Sequence, residues 1–388
     1  MRFKKEISVF LISLFSYGKI VAQLTVTGAV VDVATKEPIA GANVFISNTS
    51  HKTVSNAEGI FYFTNINIQK GELIVNAIGY NFTVINIDNT TPKNISITLL
   101  QKPKELDAVV LIPQEKDGYA KWGSAFSEGF LGNTHEAFEC NIKNTKDLKF
   151  YYNKKTNTLQ VLANVPLKII NKALGYEIDY TLEDFEYNIK SRVQFFSGYP
   201  VFTNMKGSKS KIKRWQANRT NCYLGSIMHF MRALYVNKLN DENFIVQKAK
   251  KTLNKPKADL KEKMKMALFN DNQSFVNIDD RDSVNNILMQ PDSIFAILTK
   301  PLPPDSFAFA IDSVTAGLYF NNYLAISYTK KYNKTLVTSF VKLLLPEAIS
   351  VFQNGAYYNS MGFFTEQYWA TTEKMARTLP FDYKYIDP

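Results

Sequence analysis

The chain has 388 residues, 46 Lys and Arg against 35 Asp and Glu for a formal net charge of +11, and 45% hydrophobic against 21% charged residues. This length suits two domains at about 150 residues each, and the balance excludes a disordered or collagenous chain. Three histidines and two cysteines leave little material for a hydrolytic metal centre or a disulfide framework.

Residues 1–23 have the order of a secretory signal peptide: Arg2, Lys4 and Lys5, then the greasy run Ile7 to Tyr17, then Val21-Ala22-Gln23. Cleavage is expected near Ala22 or Gln23, with no cysteine there to carry a lipid. The segment holds four basic residues and one acidic, so its removal leaves a charge near +8. No later stretch approaches the ~20 apolar residues that a spanning helix needs. The expectation is an exported protein, periplasmic or peripherally associated with the outer membrane, and not an integral membrane protein.

From Leu24 apolar residues recur with period two. Leu24, Val26, Gly28 and Val30 share one face, followed by Ala42, Val44 and Ile46, then Phe61 and Phe63, Leu73 and Val75, and Ile95, Ile97 and Leu99. Glu37-Pro38 and Asn56-Ala57-Glu58-Gly59 supply turn chemistry between them. About seven short strands without helical period predict a small antiparallel β-sandwich over residues 24–100. An exposed strand edge on such a module offers a partner a place to pair.

The runs "GAVVDVATKEPIAGANVFISNT", "TVSNAEGIFYFTNI" and "ELIVNAIGY" resemble the carboxypeptidase-regulatory-like domain, a transthyretin-like, immunoglobulin-like sandwich of exported Bacteroidetes proteins. Gly28, Pro38, Gly41-Ala42, Gly59, Phe61 and Ile78-Gly79-Tyr80 fall in that family's order. "LDAVVL", Leu106 to Leu111, is similar to the short strand that follows this domain in TonB-dependent receptors. A receptor barrel is not expected, because the 277 residues after Leu111 lack sustained dyads with aromatic girdles.

The family's name suggests a zinc carboxypeptidase, and the residues do not supply one. His51 lacks a carboxylate at the zincin spacing. His135 opens "HEAFE", which puts Glu139 where a second histidine would stand. No cofactor and no metal site is expected.

Residues 101–119 read as a linker and 120–388 as a larger, β-rich α+β domain. "DLKFYY", "TLQVLA", "PLKII" and "YEIDYTLEDFEYNI" predict strands, the last with Ile178, Tyr180, Leu182 and Phe185 inward. "NCYLGSIMHFMRALYVNKL" predicts one helix, capped by Thr220 or Asn221, with Leu224, Ile227, Met228, Met231 and Leu234 as its stripe. "ADLKEKMKMALF" predicts a second amphipathic helix. Strands return at "GLYFNNYLAISYTK" and "TLVTSFVKLLL", and "YWATTEKMARTLPFDY" ends on a short helix. The pieces "PLKIINKALGYEIDY", "RWQANRTNCYLGSIMHFMRAL", "ISVFQNGAYY" and "TLPFDY" resemble the rest of a Bacteroidetes family of regulatory-like-domain proteins without an assigned role.

The densest polar and aromatic grouping is Arg214, Trp215, Asn218, Arg219, Tyr223, Ser226, His229 and Arg232. Ser226 and His229 stand three apart on the expected helix, with Arg219 and Arg232 placed to hold an anion. These four are the candidate catalytic residues of a periplasmic hydrolase. The competing reading makes them packing residues with satisfied polar tips.

Ser210 to Lys213 and Ser283-Val284-Asn285 imitate penicillin-binding motifs. The third motif fails at Leu336 after Lys334-Thr335, and "KGSKSKIKR" reads as a solvated loop. Asp279, Asp280 and Asp282 lack the glycine and glutamate of a calcium loop. Cys140 and Cys222 allow one disulfide in an oxidising compartment, or serve as two small buried hydrophobes. Basic residues cluster at Lys206–Arg219 and Lys248–Lys265. Export argues against nucleic acid as their partner and leaves an anionic glycan or lipid, or a solvated face. The leading expectation is a non-catalytic cell-envelope protein whose sandwich meets another envelope protein.

Overall fold

Alternating apolar residues build seven strands: β1 (Leu24–Asp32), β2 (Asn43–Ile46), β3 (Lys52–Val54), β4 (Ile60–Ile66), β5 (Lys70–Asn76), β6 (Thr83–Asp88) and β7 (Asn94–Leu99). The structure, a computed structural model, describes residues 24–66, 68–102, 112–269, 281–298, 300–358 and 360–386. The expected signal peptide, the Leu106–Leu111 strand and Asp279-Asp280 lie outside the described residues.

One sheet runs β4-β1-β7 and the other β3-β2-β5-β6. All pairs are antiparallel except β1 with β7, which run parallel. Val26, Val30, Val44, Ile46, Phe61, Leu73, Val75 and Ile97 fill the space between the sheets, as the alternation predicts. Gly28 has a steric reason: a Cβ there would meet the Ile95 carbonyl oxygen at 2.5 Å and the Phe61 ring at 2.7 Å. Gly59 adopts φ +72° to close the Asn56 turn, where Asn56 Oδ1 accepts from Ile60 N–H at 2.7 Å.

At the end of β1, buried Asp32 gathers three segments. Its carboxylate accepts from the backbone N–H of Ala34 and Thr35 (2.7 and 3.0 Å), the Tyr80 hydroxyl (2.9 Å) and the Gln101 amide (2.8 Å). These bonds, the Thr35 N–H foremost, hold its pKa at about 2.

The second part begins earlier than the sequence suggests: Gln114 bridges Tyr151, and Glu115 N–H donates to Phe150 O at 2.9 Å. Helices α1 (Gly118–Phe130) and α2 (His135–Phe138) precede β8 (Cys140–Ile142), β9 (Leu148–Asn153), β10 (Thr158–Ala163), β11 (Leu167–Asn171), β12 (Tyr176–Asn188) and β13 (Val193–Asn204). These six strands form one antiparallel sheet with long β12 at its centre. The pairing of β12 with β13 slips between Leu182 and Asp184. This bulge explains why the inward set moves from Ile178, Tyr180 and Leu182 to Phe185 and Tyr187.

Next come α3 (Lys209–Tyr223), α4 (Ile227–Tyr235), β14 (Phe244–Leu253), α5 (Lys255–Phe269), α6 (Arg281–Met289) and β15 (Ser293–Ile297). Then follow β16 (Ala308–Ala310), β17 (Ala316–Leu318), β18 (Tyr323–Thr329), β19 (Leu336–Leu343), β20 (Ile349–Val351), β21 (Tyr357–Tyr358), β22 (Phe363–Gln367) and α7 (Tyr368–Thr372). They add a sheet ordered β15-β14-β18-β19-β22 and a smaller one ordered β16-β17-β20-β21. One core joins these elements, with Phe126, Phe150, Phe185, Phe230, Phe244 and Trp369 at its centre.

Three expectations are corrected. The single helix through "NCYLGSIMHFMRAL" is two helices, because Gly225 turns to φ +80° and Ser226 starts a new one. Most of the "KGSKSKIKR" loop, Lys209 to Arg214, is the start of α3, capped by Ser208, whose hydroxyl accepts from Lys211 N–H. Helix α5 exposes Met264 and Met266 among its lysines, so its described part shows little of the amphipathic burial expected.

The sandwich is docked on the second part. On the outer face of the β3-β2-β5-β6 sheet, Phe45 and Ile74 close against Val201 of β13, leaving the three 3%, 0% and 2% exposed. Phe82 meets Tyr199 edge-on at 5.7 Å between centroids. The turn after β2 continues the contact: Asn48 N–H donates to Pro200 O at 2.7 Å, Phe202 N–H to Thr49 O at 3.0 Å, and Phe381 N–H to Asn48 O at 2.7 Å. Ser50 binds the Asp382 carboxylate through its backbone N–H at 3.2 Å and also through its hydroxyl.

Replacing Gly28 with Ala is expected to destabilise the protein by at least the ~1–3 kcal/mol of an overpacked core, because a strand carbonyl cannot step aside. Gly79→Ala, in open space at φ +85°, should cost only about 1 kcal/mol. Denaturant titration of both variants checks this, and equal losses would contradict the close-approach account.

Candidate functional site

The sequence candidates converge at the junction of α3 and α4, and the break between the helices sets their roles. Ser226, 8% exposed, accepts the His229 backbone N–H on its Oγ at 3.1 Å as the N-cap of α4. His229 is 2% exposed. Its Nδ1 accepts from Gly225 N–H at 3.1 Å, and its Nε2 lies 3.2 Å from Glu242 Oε2. An accepting Nδ1 fixes the neutral tautomer with Nε2–H donating to Glu242. Tyr223, Phe244 and Tyr328 surround the ring at centroid distances of 4.7, 4.9 and 5.6 Å. Burial pushes its pKa down to about 4 despite Glu242.

Ser226 and His229 are therefore neighbours, and neither ring nitrogen reaches the hydroxyl. The arginines are engaged as well. Arg219 Nε donates to Leu174 O at 2.7 Å and Nη2 to Gly175 O at 3.1 Å, with the guanidinium 3.8 Å over the Tyr176 ring. Arg232 Nε donates to Asn354 O at 2.9 Å and Nη2 to Phe381 O at 3.1 Å. Trp215 and Asn218 donate to Lys172 O and Ala173 O. The whole grouping laces α3 and α4 to the Lys172–Gly175 turn and to the C-terminal segment.

Cys140 and Cys222 are free thiols. Cys222 Sγ lies 3.7 Å from Glu136 Oε1, which also receives Arg377 Nη1 at 2.7 Å. Burial pushes the Cys140 pKa up to about 12 and raises that of Cys222 also, so neither is a ready nucleophile. His135, largely exposed, pairs with Glu139 at 3.3 Å, and Arg214 holds the other oxygen of Glu139 at 3.4 Å. Among the described residues no group of three His, Cys, Asp or Glu side chains converges. The lysine-rich segment is partly neutralised: Lys257 and Lys261 both bind Asp292 (3.0 and 2.8 Å), and Lys251 binds Glu366 at 2.5 Å.

Sequence reasoning missed Glu242, the partner of His229; Trp369, whose Nε1 donates to Gly225 O at 2.8 Å; and Arg377. No local spacing signals them, since each reaches the junction through the tertiary fold.

Residues 26–111 match the CarboxypepD_reg-like domain family. The sandwich is thus a carboxypeptidase-regulatory-like domain. Among curated proteins none matches the chain. A crystal structure from Bacteroides fragilis, described as a membrane-associated protein of unknown function, covers 89% of this chain and 95% of its own at 9% identity and a TM-score of 0.17. Among the described residues no helix is long and apolar enough to cross a membrane, which says nothing of β-barrels.

The pH consequence of His229 has a definite sign. Its folded pKa lies below the ordinary value of 6.5, so its contribution to stability is whole above that pH and is lost as pH falls through about 4. The unfolded chain takes a proton that the fold refuses. His229→Gln should flatten the decline of Tm over this window, and long-range ¹⁵N–¹H spectra should show a neutral Nε2–H ring at pH 6. An imidazolium at that pH would contradict the assignment.

Proposed function

We propose that this chain is a non-catalytic component of the cell envelope, exported by the leader at residues 1–23. In this reading the regulatory-like sandwich serves assembly with another envelope protein. The observation that carries it is the state of the junction: Ser226 caps a helix, both nitrogens of His229 are bonded away from it, and Arg219 and Arg232 are spent on backbone carbonyls. A hydrolase needs a nucleophile within reach of a base that is free to take its proton.

The partner is expected on the sheet that the second part leaves uncovered. There β4 is an edge strand and Tyr62 stands 59% exposed. Lys263 and Lys265, exposed on α5, are basic groups placed to meet an anionic glycan or lipid in the same assembly.

Ser226→Asn separates this reading from the hydrolase, because Asn caps as well as Ser and cannot act as the nucleophile. The variant should keep wild-type stability, while Ser226→Ala should lose about 1 kcal/mol. A fluorophosphonate probe should leave Ser226 of the wild-type protein unlabelled. A covalent adduct on Ser226 that disappears in Ser226→Asn would overturn the non-catalytic reading.

A further inference from the structure

A cleft of about 280 Å³ opens where the turn between β18 and β19 meets the ends of α3 and α7. It is lined by three cations, Lys330, Lys331 and Arg377, and by three phenols, Tyr328, Tyr332 and Tyr368. Among the described residues no carboxylate lines it.

The cations are held in place. Arg377 is fixed by Glu136 at 2.7 Å and by the Asn221 carbonyl at 3.3 Å. Lys330 Nζ sits 5.3 Å from the centre of the Tyr368 ring, and Lys331 Nζ 5.7 Å from that of Tyr385.

Tyr328 is the second, independent observation. Its side chain is 2% exposed and lines the cleft, yet its buried hydroxyl has no hydrogen-bond partner among the described residues. His229, against its ring, is bonded on both nitrogens. Buried hydroxyls are seldom left unpaired in folded proteins, and this residue belongs to the wall of the cleft.

We propose that the cleft binds an anionic monosaccharide, a single sugar ring bearing a carboxylate or a phosphate. The lysines and Arg377 take the anion. Tyr332, 67% exposed, covers the apolar side of the ring, and the Tyr328 hydroxyl bonds a ring substituent. The volume lies just below the ~300–1,000 Å³ range of small-molecule pockets, which fits one ring and not an extended chain. This site is separate from the partner surface proposed above, and the test below does not depend on that surface.

Isothermal titration of the full chain without its leader would use galacturonate, glucose 6-phosphate, glucose and inorganic phosphate. At least one charged sugar should bind about tenfold or more tightly than glucose or phosphate alone, and the two charged arms identify the carboxylate or the phosphate as the recognised anion. Tyr328→Phe should weaken that binding about fivefold while raising the Tm of the ligand-free protein, because an unpaired buried hydroxyl is gone. Lys330→Gln should weaken it and lessen its salt dependence. No binding by either charged sugar, equal affinity for glucose, phosphate alone binding as tightly as the sugar phosphate, or affinities unchanged in both variants would each overturn the proposal. So would a lower ligand-free Tm for Tyr328→Phe, which would place the partner of its hydroxyl within the fold.

Discussion

Two side chains on the outside of the sandwich organise the molecule. A strand in a two-layer sandwich turns one face to the core and the other to water, yet β2 and β5 bury both, with Phe45 and Ile74 pressed on Val201 of β13. Full burial of such side chains is worth about 1.5–3 kcal/mol each. The turn beyond β2 locks the same contact through the backbone. Asn48, at φ +57°, sends its N–H to Pro200 and its carbonyl to Phe381, so β13 and the C-terminal segment are tied to one residue. Burial there, with Glu183 nearby, raises the pKa of Glu72 on β5.

This docking limits what the sandwich can offer to others. One of its two sheets serves as an inner layer between its own core and the six-stranded sheet of the second part. Its freely presented surfaces are those of β4-β1-β7 and the edges. The polar junction of α3 and α4 obeys the same economy. His229 behaves there as one aromatic ring among several, and its polar atoms are matched to Gly225 and Glu242 so that burial is tolerated. A cluster rich in Tyr, His, Arg and Ser can look like chemistry in a sequence because a buried aromatic core with polar tips uses the same residues.

Much of the fold was legible. Period-two patterning gives about seven sandwich strands and places five of them with their inner faces, leaving β3 and β6 unplaced because their short polar stretches carry no clear alternation, and the inward set it names skips from Leu182 to Phe185, where the β-bulge lies. The extra burial of Phe45 and Ile74 was written in the apolar runs "NVFI" and "LIV", but alternation alone assigns such residues to solvent. The split between α3 and α4 was harder. The stripe from Leu224 to Leu234 continues through Gly225, and only a helix cap competing at Ser226 ends one helix and begins another. For the candidate site, sequence spacing makes Ser226 and His229 neighbours, which the structure joins only through the His229 backbone N–H, and gives no hint of Glu242, Trp369 or the Lys330–Tyr332 turn. Those partners arrive by strand pairing and tertiary packing, which no local pattern encodes.

Calorimetry of residues 24–388 tests most directly whether sandwich and second part form one cooperative body. Coupling through Phe45, Ile74 and Val201 predicts a single heat-absorption peak whose van't Hoff and calorimetric enthalpies agree, and its division into two when Val201 is replaced by Asp. Two resolved peaks in the unaltered protein would contradict the account.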